Sequence, residues 1–486
     1  MKLIDKSNSR AKRRVEKSEC SSNKIYFIGI GGIGASALAK YYLKKGYQVS
    51  GSDLVPSEIT KALEKIGAKI FIGHHKAKNL SKNTDLVIYS PAVPKNNQEL
   101  KTAEKLGIKC LSYPEALGKL TEQYFTIAVS GTHGKSTTTS MIGLLLTKAG
   151  LDPTVIVGTK LKEWSFSNCR VGKPIRQAQG KIQYLVIEAD EHFASFLNYW
   201  PKIIVLTNLE ADHLDYYKNL KNYISAFKKF ISHLPEKGTL VANKDDKKIN
   251  QLILNPEGVA SRPYGAGRKQ KTLGEEYKSS SSPFTAARVF YSIKQPEVKK
   301  LRKILKIPGK HNISNALATL KVARVLKIPD RVSFKVLSEY KGSWRRFEII
   351  KEKPFVVISD YAHHPTEIKA TLEGAREKYP KKKIWLIYQP HQYQRTYYLF
   401  KDFVKVFKGL PADKIIITDI YDVAGRENKE IKKKVNSEKL VKAVDKKSVI
   451  YLPKAKILNC LKKNLRDGEV TIIMGAGDIY ELSKRF

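Results

Sequence analysis

Cysteine is scarce in this sequence. The four present, Cys20, Cys110, Cys169 and Cys460, lie far apart, with no C-x-x-C pair and no histidine at ligand spacing. That spacing argues against a disulfide framework or a zinc site and fits free thiols in a reducing compartment. Long apolar runs are absent too: none approaches the roughly 20 residues that span a bilayer, so membrane insertion is not expected. The opening stretch, MKLIDKSNSRAKRRVEKSECSSNK, is basic and polar and lacks the apolar segment of a signal peptide. Residues 1–22 therefore read as a flexible basic tail, and the chain as cytoplasmic. Acidic residues are also in short supply: 46 Asp and Glu stand against 89 Lys and Arg, a formal net charge of +43. Taken alone, this excess suggests a polyanion partner. The lysines, however, are scattered through runs such as KKKI, VKKLRK and KEIKKKV, and no helix-turn-helix, zinc-finger or RNA-binding signature accompanies them. A solvated lysine-rich surface is the expectation, and a specific nucleic-acid partner is not.

What is present is a long series of short β-rich runs separated by amphipathic stretches. They include KIYFIGI, YQVSGSD, TDLVIYS, YFTIAVSG, YLVIEAD, KIIVLTN, GTLVAN, PFVVISD, KIWLIYQ, KIIITDI, SVIYLP and VTIIMGAG. This alternation predicts an α/β fold built on parallel sheets. At 486 residues the chain exceeds one hydrophobic core. Its punctuation predicts three domains, at 23–122, 123–339 and 340–486: a Rossmann-like unit, a central P-loop-type ATPase domain and a second Rossmann-like unit. The Gly/Ser/Lys-rich stretch GAGRKQKTLGEEYKSSSSP reads as a surface loop or hairpin connection.

Two glycine loops carry the chemistry. In YFIGIGGIGASALA, Gly29, Gly31 and Gly34 fit G-x-G-x-x-G, with Gly32 as an extra glycine. A strand, a tight turn and a helix N-terminus in that order accept a diphosphate. Alone, this suggests NAD, with Asp53 at the usual ribose-reading distance. In YFTIAVSGTHGKSTTTSMIGLLL, the loop Gly131-Thr132-His133-Gly134-Lys135-Ser136-Thr137 is a variant P-loop, with Val129 where the general pattern has glycine. Lys135 can reach the β/γ-phosphates and the Ser136 hydroxyl can ligate Mg²⁺. Glu188, Asp190 and Glu191 end one buried strand, and Asp212, His213 and Asp215 follow another. In parallel sheets the strand C-termini line the ligand crevice, so both clusters should face the phosphate loop as cation ligands. Farther on, His311, Asn312 and Asn315 open a helix. Arg346 and Asp360 are candidates near the nucleotide, and His391 and Arg395 follow another buried strand.

The ordered set IGIGGIGASALA, VSGSD, GTHGKSTTT, EADE with ASFL, TNLEADHLD, GKHNISNALA, WRRFE, DYAHHPTE and QPH-Y-RT resembles the Mur ligases, ATP-dependent peptide-bond formers of peptidoglycan synthesis. The resemblance implies domains for a UDP-sugar, ATP and an amino acid, and ligation of L-alanine to the lactyl carboxylate of UDP-N-acetylmuramate. It implies that Gly131, Thr132, His133, Gly134, Lys135, Ser136 and Thr137 hold the ATP phosphates, and that Ser136, Glu188 and His213 gather Mg²⁺. His311, Asn312 and Asn315 would contact the nucleotide, while Arg346 and Asp360 close over it. The implied catalytic set is Lys135, Glu188, His213 and Arg346. His364, His391 and Arg395 would face the amino acid. Gly29, Gly31, Gly32, Gly34, Asp53 and Ser90 would hold the UDP-sugar. A monomer or weak homodimer is expected.

The sequence departs from the family pattern at His192-Phe193, where Ser-Asp is usual, at Gln392, where Arg is common, and at Ser359, ahead of Asp360. Phe227 stands where several relatives carry a carbamylated lysine, so that modification is not expected. Other readings are a ligase that adds a murein tripeptide, an NAD-dependent oxidoreductase, and a polyanion-binding protein on a degenerate ligase scaffold. The oxidoreductase leaves the second loop, Glu188 and His213 without a role.

Overall fold

The computed structural model describes residues 23–173, 182–254, 286–423 and 429–486. The expected basic tail and the stretch GAGRKQKTLGEEYKSSSSP lie outside the described residues.

Residues up to Leu120, together with Asn168–Val171, form one compact unit, and the rest of the described chain forms another. The first unit holds five strands: β1 (Lys24–Ile28), β2 (Gln48–Asp53), β3 (Lys69–Ile72), β4 (Leu86–Tyr89) and β5 (Lys109–Ser112). They pair in parallel in the order β3-β2-β1-β4-β5. The central strand β1 reads KIYFI because it is covered on both faces: Tyr26, Phe27 and Ile28 are buried. The order reverses between β1 and β4, which places the ligand crevice at the β1 C-terminus. The first glycine loop occupies that point and leads into helix α1 (Ile33–Lys44). A Cβ on Gly34 would lie 2.7 Å from the Tyr113 ring, so only glycine lets α1 seat there.

The second unit contains two sheets. One carries β6 (Phe125–Ser130), β7 (Thr154–Leu161), β8 (Tyr184–Glu188), β9 (Ile203–Leu206), β10 (Thr239–Asn243) and β11 (Ala287–Tyr291), in the order β11-β10-β9-β6-β8-β7, with parallel pairing between neighbours. Its core joins Ile127, Val129, Val186 and Val205 to Met141, Leu145 and Leu317 on the covering helices. The other sheet contains β12 (Glu348–Lys351), β13 (Val356–Asp360), β14 (Ile384–Tyr388), β15 (Lys414–Ile417), β16 (Val449–Tyr451) and β17 (Val470–Met474), in the order β12-β13-β17-β14-β15-β16. Here the expectation of parallel sheets needs correction. Strand β12 pairs antiparallel with β13, while the other pairs are parallel. Only residues 352–355 join the two strands. That is enough for a reversal and far short of the dozen or so residues a parallel crossover needs.

Candidate active site

Strand β6 ends at Ser130, and helix α3 (Lys135–Lys148) begins five residues later. Between them Gly131 and Gly134 adopt φ of +127° and +83°. A Cβ would fall 2.2 Å from Thr207 Oγ1 at the first and 2.5 Å from Asn315 Oδ1 at the second. The chain must be glycine at both places for backbone N–H groups at the helix start to face a ligand.

Lys135 Nζ donates to Gly131 O at 2.7 Å and to Glu191 Oε2 at 2.8 Å. Burial works against its charge, but Glu191, Asp190 and Glu188 outweigh that and hold the ammonium well above its ordinary pKa. Glu191 is itself buried, and Tyr223 Oη donates to it at 3.2 Å. Next along the helix, Ser136 Oγ donates to Glu188 Oε1 at 3.0 Å, and Gly158 N–H donates to Glu188 Oε2 at 2.8 Å. Arg346 Nη2, from the other sheet, stands 3.5 Å from Ser136 Oγ. Ser136, Glu188 and Arg346 thus meet at one point.

His213 sits elsewhere in the crevice. Its donor atom and those of Asp190 and Glu191 lie within 4.8 Å of one another, and Glu188 is outside that group. Burial lowers the His213 pKa to about 3, against the pull of Asp212, so the ring is neutral with a lone pair free. Two carboxylates, a neutral imidazole and a nearby hydroxyl–carboxylate pair form an oxygen-rich donor set that suits a hard divalent cation. The residues present therefore fit Mg²⁺.

Beside the loop lies a cavity of about 290 Å³ lined by His133, Gly134, Thr137, His311, Asn312, Asn315, Arg346 and Asp360, all named from the sequence. Burial holds His311 near pKa 4, so its ring is neutral. Asp360 spends both oxygens on backbone, accepting from Phe347 N–H at 2.7 Å and Ala362 N–H at 2.8 Å. It organises the turn that carries Arg346. The cavity also takes in Asn208, Asn243, Tyr340 and Glu367, which the sequence reading did not single out. For Glu367 a signal existed: in HHPTE, helix α5 (Pro365–Lys378) begins at the proline, and Glu367 closes a capping box with His364.

The amino-acid candidates divide. Arg395, on helix α6 (Tyr393–Tyr398), is buried and forked onto Asp212, at 3.3 Å to Oδ1 and 3.4 Å to Oδ2. His391 Nδ1 stands 3.3 Å from Arg395 Nη1, and its ring stacks on Tyr421. His364 instead lies against the glycine loop, its ring centroid 4.8 Å from that of His133. In the first unit, Gly31 N–H donates to Asp53 Oδ2 at 2.8 Å, and the Ser90 side chain lies 3.1 Å from where a Gly29 Cβ would stand. Asp53 therefore braces the glycine loop itself.

Family models cover the chain in sequence order: the Mur ligase family catalytic domain matches residues 24–125, the Mur ligase middle domain 129–323, and the Mur ligase glutamate ligase domain 345–477. The chain belongs to the Mur ligase family. Among curated relatives of this Mur ligase, the UDP-N-acetylmuramate–L-alanine ligase of Acetivibrio thermocellus is 42% identical over 95% of each chain. That of Clostridium acetobutylicum is 40% identical over 96% of this chain and 97% of its own. Among solved structures, the UDP-N-acetylmuramate–alanine ligase of Thermotoga maritima superposes with TM-score 0.72 at 27% identity, covering 95% of this chain and 98% of that one. A murein peptide ligase from Psychrobacter arcticus shares the fold, with TM-score 0.66 at 21% identity over 95% and 98% of the two chains.

The departures from the family pattern have local consequences in this Mur ligase. His192 stacks on His213 with centroids 4.1 Å apart, and Phe193 on His192 at 4.0 Å. The aromatic pair thus fixes the plane of the His213 ring. Phe227 is fully buried against Phe196 and Tyr223. Gln392 holds φ +70° just ahead of α6.

Proposed function

We propose that this Mur ligase joins L-alanine to the lactyl carboxylate of UDP-N-acetylmuramate at the expense of ATP, in cytoplasmic peptidoglycan precursor synthesis. Domain boundaries at 23–122, 123–339 and 340–486 go with that reading. The observation that carries it is the glycine loop with Lys135 clamped by Glu191 and with Arg346 reaching Ser136 from the other sheet. Relatives at about 40% identity over nearly the full chain bear that ligase's name.

The chemistry needs a carboxylate made electrophilic. An oxygen of the muramoyl carboxylate attacks the γ-phosphorus, the bond to the β-bridging oxygen breaks, and ADP leaves with that electron pair. The alanine amine then attacks the acyl carbon and loses a proton. The tetrahedral intermediate collapses by expelling phosphate. Lys135 and Arg346 offset charge on the transferring oxygens, fixed in place before the reaction begins. Ser136 with Glu188, and His213 with Asp190 and Glu191, would hold Mg²⁺, which supplies Lewis-acid polarisation of the phosphoryl oxygens when bound. His391 and Arg395 would take the amino acid, and an incoming carboxylate would exchange with Asp212 for the guanidinium fork.

The test is phosphate release from ATP with UDP-N-acetylmuramate, screened across L-alanine, serine, glycine and a murein tripeptide. L-alanine should be preferred and Lys135→Ala should abolish release. Near-normal turnover by Lys135→Ala, or preference for the tripeptide, would overturn the assignment.

A further inference from the structure

The His133 side chain belongs to the glycine loop but does not point along it. Its Nε2 lies 2.8 Å from Glu210 Oε2 and its Nδ1 lies 3.2 Å from Glu367 Oε1. Carboxylate oxygens only accept, and a neutral imidazole has one N–H to give. With a neutral ring, one of the two contacts would set lone pair against lone pair. Both contacts are satisfied only when the ring carries a proton on each nitrogen. The loop backbone that carries the ring is itself held in place. His133 N–H donates to Asn208 Oδ1 at 2.8 Å, and His133 O accepts from Thr207 Oγ1 at 2.6 Å and Asn208 Nδ2 at 3.0 Å.

The two carboxylates come from different sheets. Glu210 follows β9, beside the loop, whereas Glu367 stands in the first turn of α5 on the C-terminal sheet. Glu367 divides its oxygens: Oε2 accepts from His363 N–H at 3.0 Å and His364 N–H at 3.2 Å, while Oε1 faces the loop. We propose that Glu210 and Glu367 hold His133 as an imidazolium, a second fixed cation on the ATP loop beside Lys135. On this proposal Glu367 is a positioning residue through which the C-terminal sheet sets the charge of that loop. The proposal rests on the reading that the loop binds ATP, and it extends that reading to the charge the loop carries.

The surrounding groups agree with that charge. Arg346 Nη1 stands 3.9 Å from Glu367 Oε1, so two carboxylates face two cations. The neighbouring His364 and His311 rings are driven toward neutrality by burial. Burial opposes the charge on His133 as well, but its bonds to Glu210 and Glu367 outweigh that and raise its pKa to about 9. The folded value lies above the ordinary 6.5. The clasp is therefore complete below about pH 6.5 and is lost as pH rises through about 9.

The test uses the full chain labelled with ¹⁵N-histidine and free of nucleotide, with the His133 resonances assigned through His133→Gln. At about pH 7.5 both ring nitrogens should be protonated, with the proton lost near the raised value. Glu367→Gln keeps an amide oxygen to cap α5 but removes the charge. It should lower the His133 midpoint by at least about one pH unit and raise KM for ATP about tenfold, with a smaller change in kcat. The alkaline limb of kcat/KM for ATP should move with it. Lys369→Gln, on the exposed face of the same helix, should move neither quantity. Should Glu367→Gln not fold, Glu210→Gln makes the same measurement from the more exposed side of the ring. A neutral His133 tautomer at about pH 7.5 in the unaltered chain, or a folded carboxylate variant with unchanged titration and KM, overturns the proposal. Absence of ATP binding in the unaltered chain would overturn the ATP reading instead, and the ring titration would still decide the charge of His133.

Discussion

Gly134 stands at a place where a single added methyl group has nowhere to go. Its φ of +83° is strained for any L side chain, and a Cβ would press on Asn315 Oδ1 at 2.5 Å. Gly134→Ala should cost about 1–3 kcal/mol in stability and weaken ATP binding, read as a lower urea midpoint and a higher Kd. An unchanged midpoint would mean that the loop relaxes freely. The neighbours Arg345 and Arg346 are chemically identical yet do different work. Arg345 is buried against the Tyr361 and Tyr480 rings, at 4.8 and 4.4 Å to the centroids, and bonds Gly477 O at 3.1 Å. Arg346 turns to Ser136. Arg345→Lys should therefore lower stability through lost ring contacts and carbonyl bonds, measured as Tm, with little change in KM for ATP in the folded fraction. His311 sets a third expectation. Burial lowers its pKa from 6.5 to about 4, so between those values the unfolded chain binds a proton that the folded chain refuses. Its contribution is intact above about pH 6.5 and is lost as pH falls through about 4. Urea midpoints measured down that range should fall, and His311→Gln should flatten the slope.

At the scale of elements, the buried Asp212–Arg395 pair joins the loop after β9 to α6, and so the central sheet to the C-terminal one. Leaving one member of a buried pair uncompensated costs about 3–5 kcal/mol. Asp212→Asn should lower the urea midpoint accordingly, and Asp212→Asn with Arg395→Gln should recover part of the loss. Strict additivity in that double-mutant cycle would show that the pair is not coupled. The elements themselves were legible to different degrees. Continuous apolar runs such as VVISD and IWLIY announced β13 and β14, because strands covered on both faces carry no polar alternation. Strands β3 (KIFI), β5 (KCLS), β7 (TVIVGTKL), β11 (ARVFY) and β12 (EIIK) were missed. Strands β3 and β12 lie at the edges of their sheets, half exposed, and four residues with charged ends carry little periodic signal; β7 is largely buried, and its run TVIVGTKL was passed over.

Across the whole molecule, +43 formal charges repel one another. Raising ionic strength from about 0.01 M to about 0.15 M shortens the Debye length from about 30 Å to about 8 Å. Tm should rise over that range, and a fall would mean that the surface ion pairs outweigh the repulsion. The two glycine loops, the strand–turn–helix units and the family were determined by the sequence alone. Each rests on short-range requirements: left-handed or crowded backbone where glycine costs least, and apolar runs that only burial explains. Which carboxylate meets which cation was decided by tertiary structure. Lys135 finds Glu191 across 56 positions, Asp212 finds Arg395 across 183, and His133 finds Glu367 across 234. The first pair is set by which strands lie side by side in the central sheet and the other two by how one sheet packs on another, and local composition carries no trace of either.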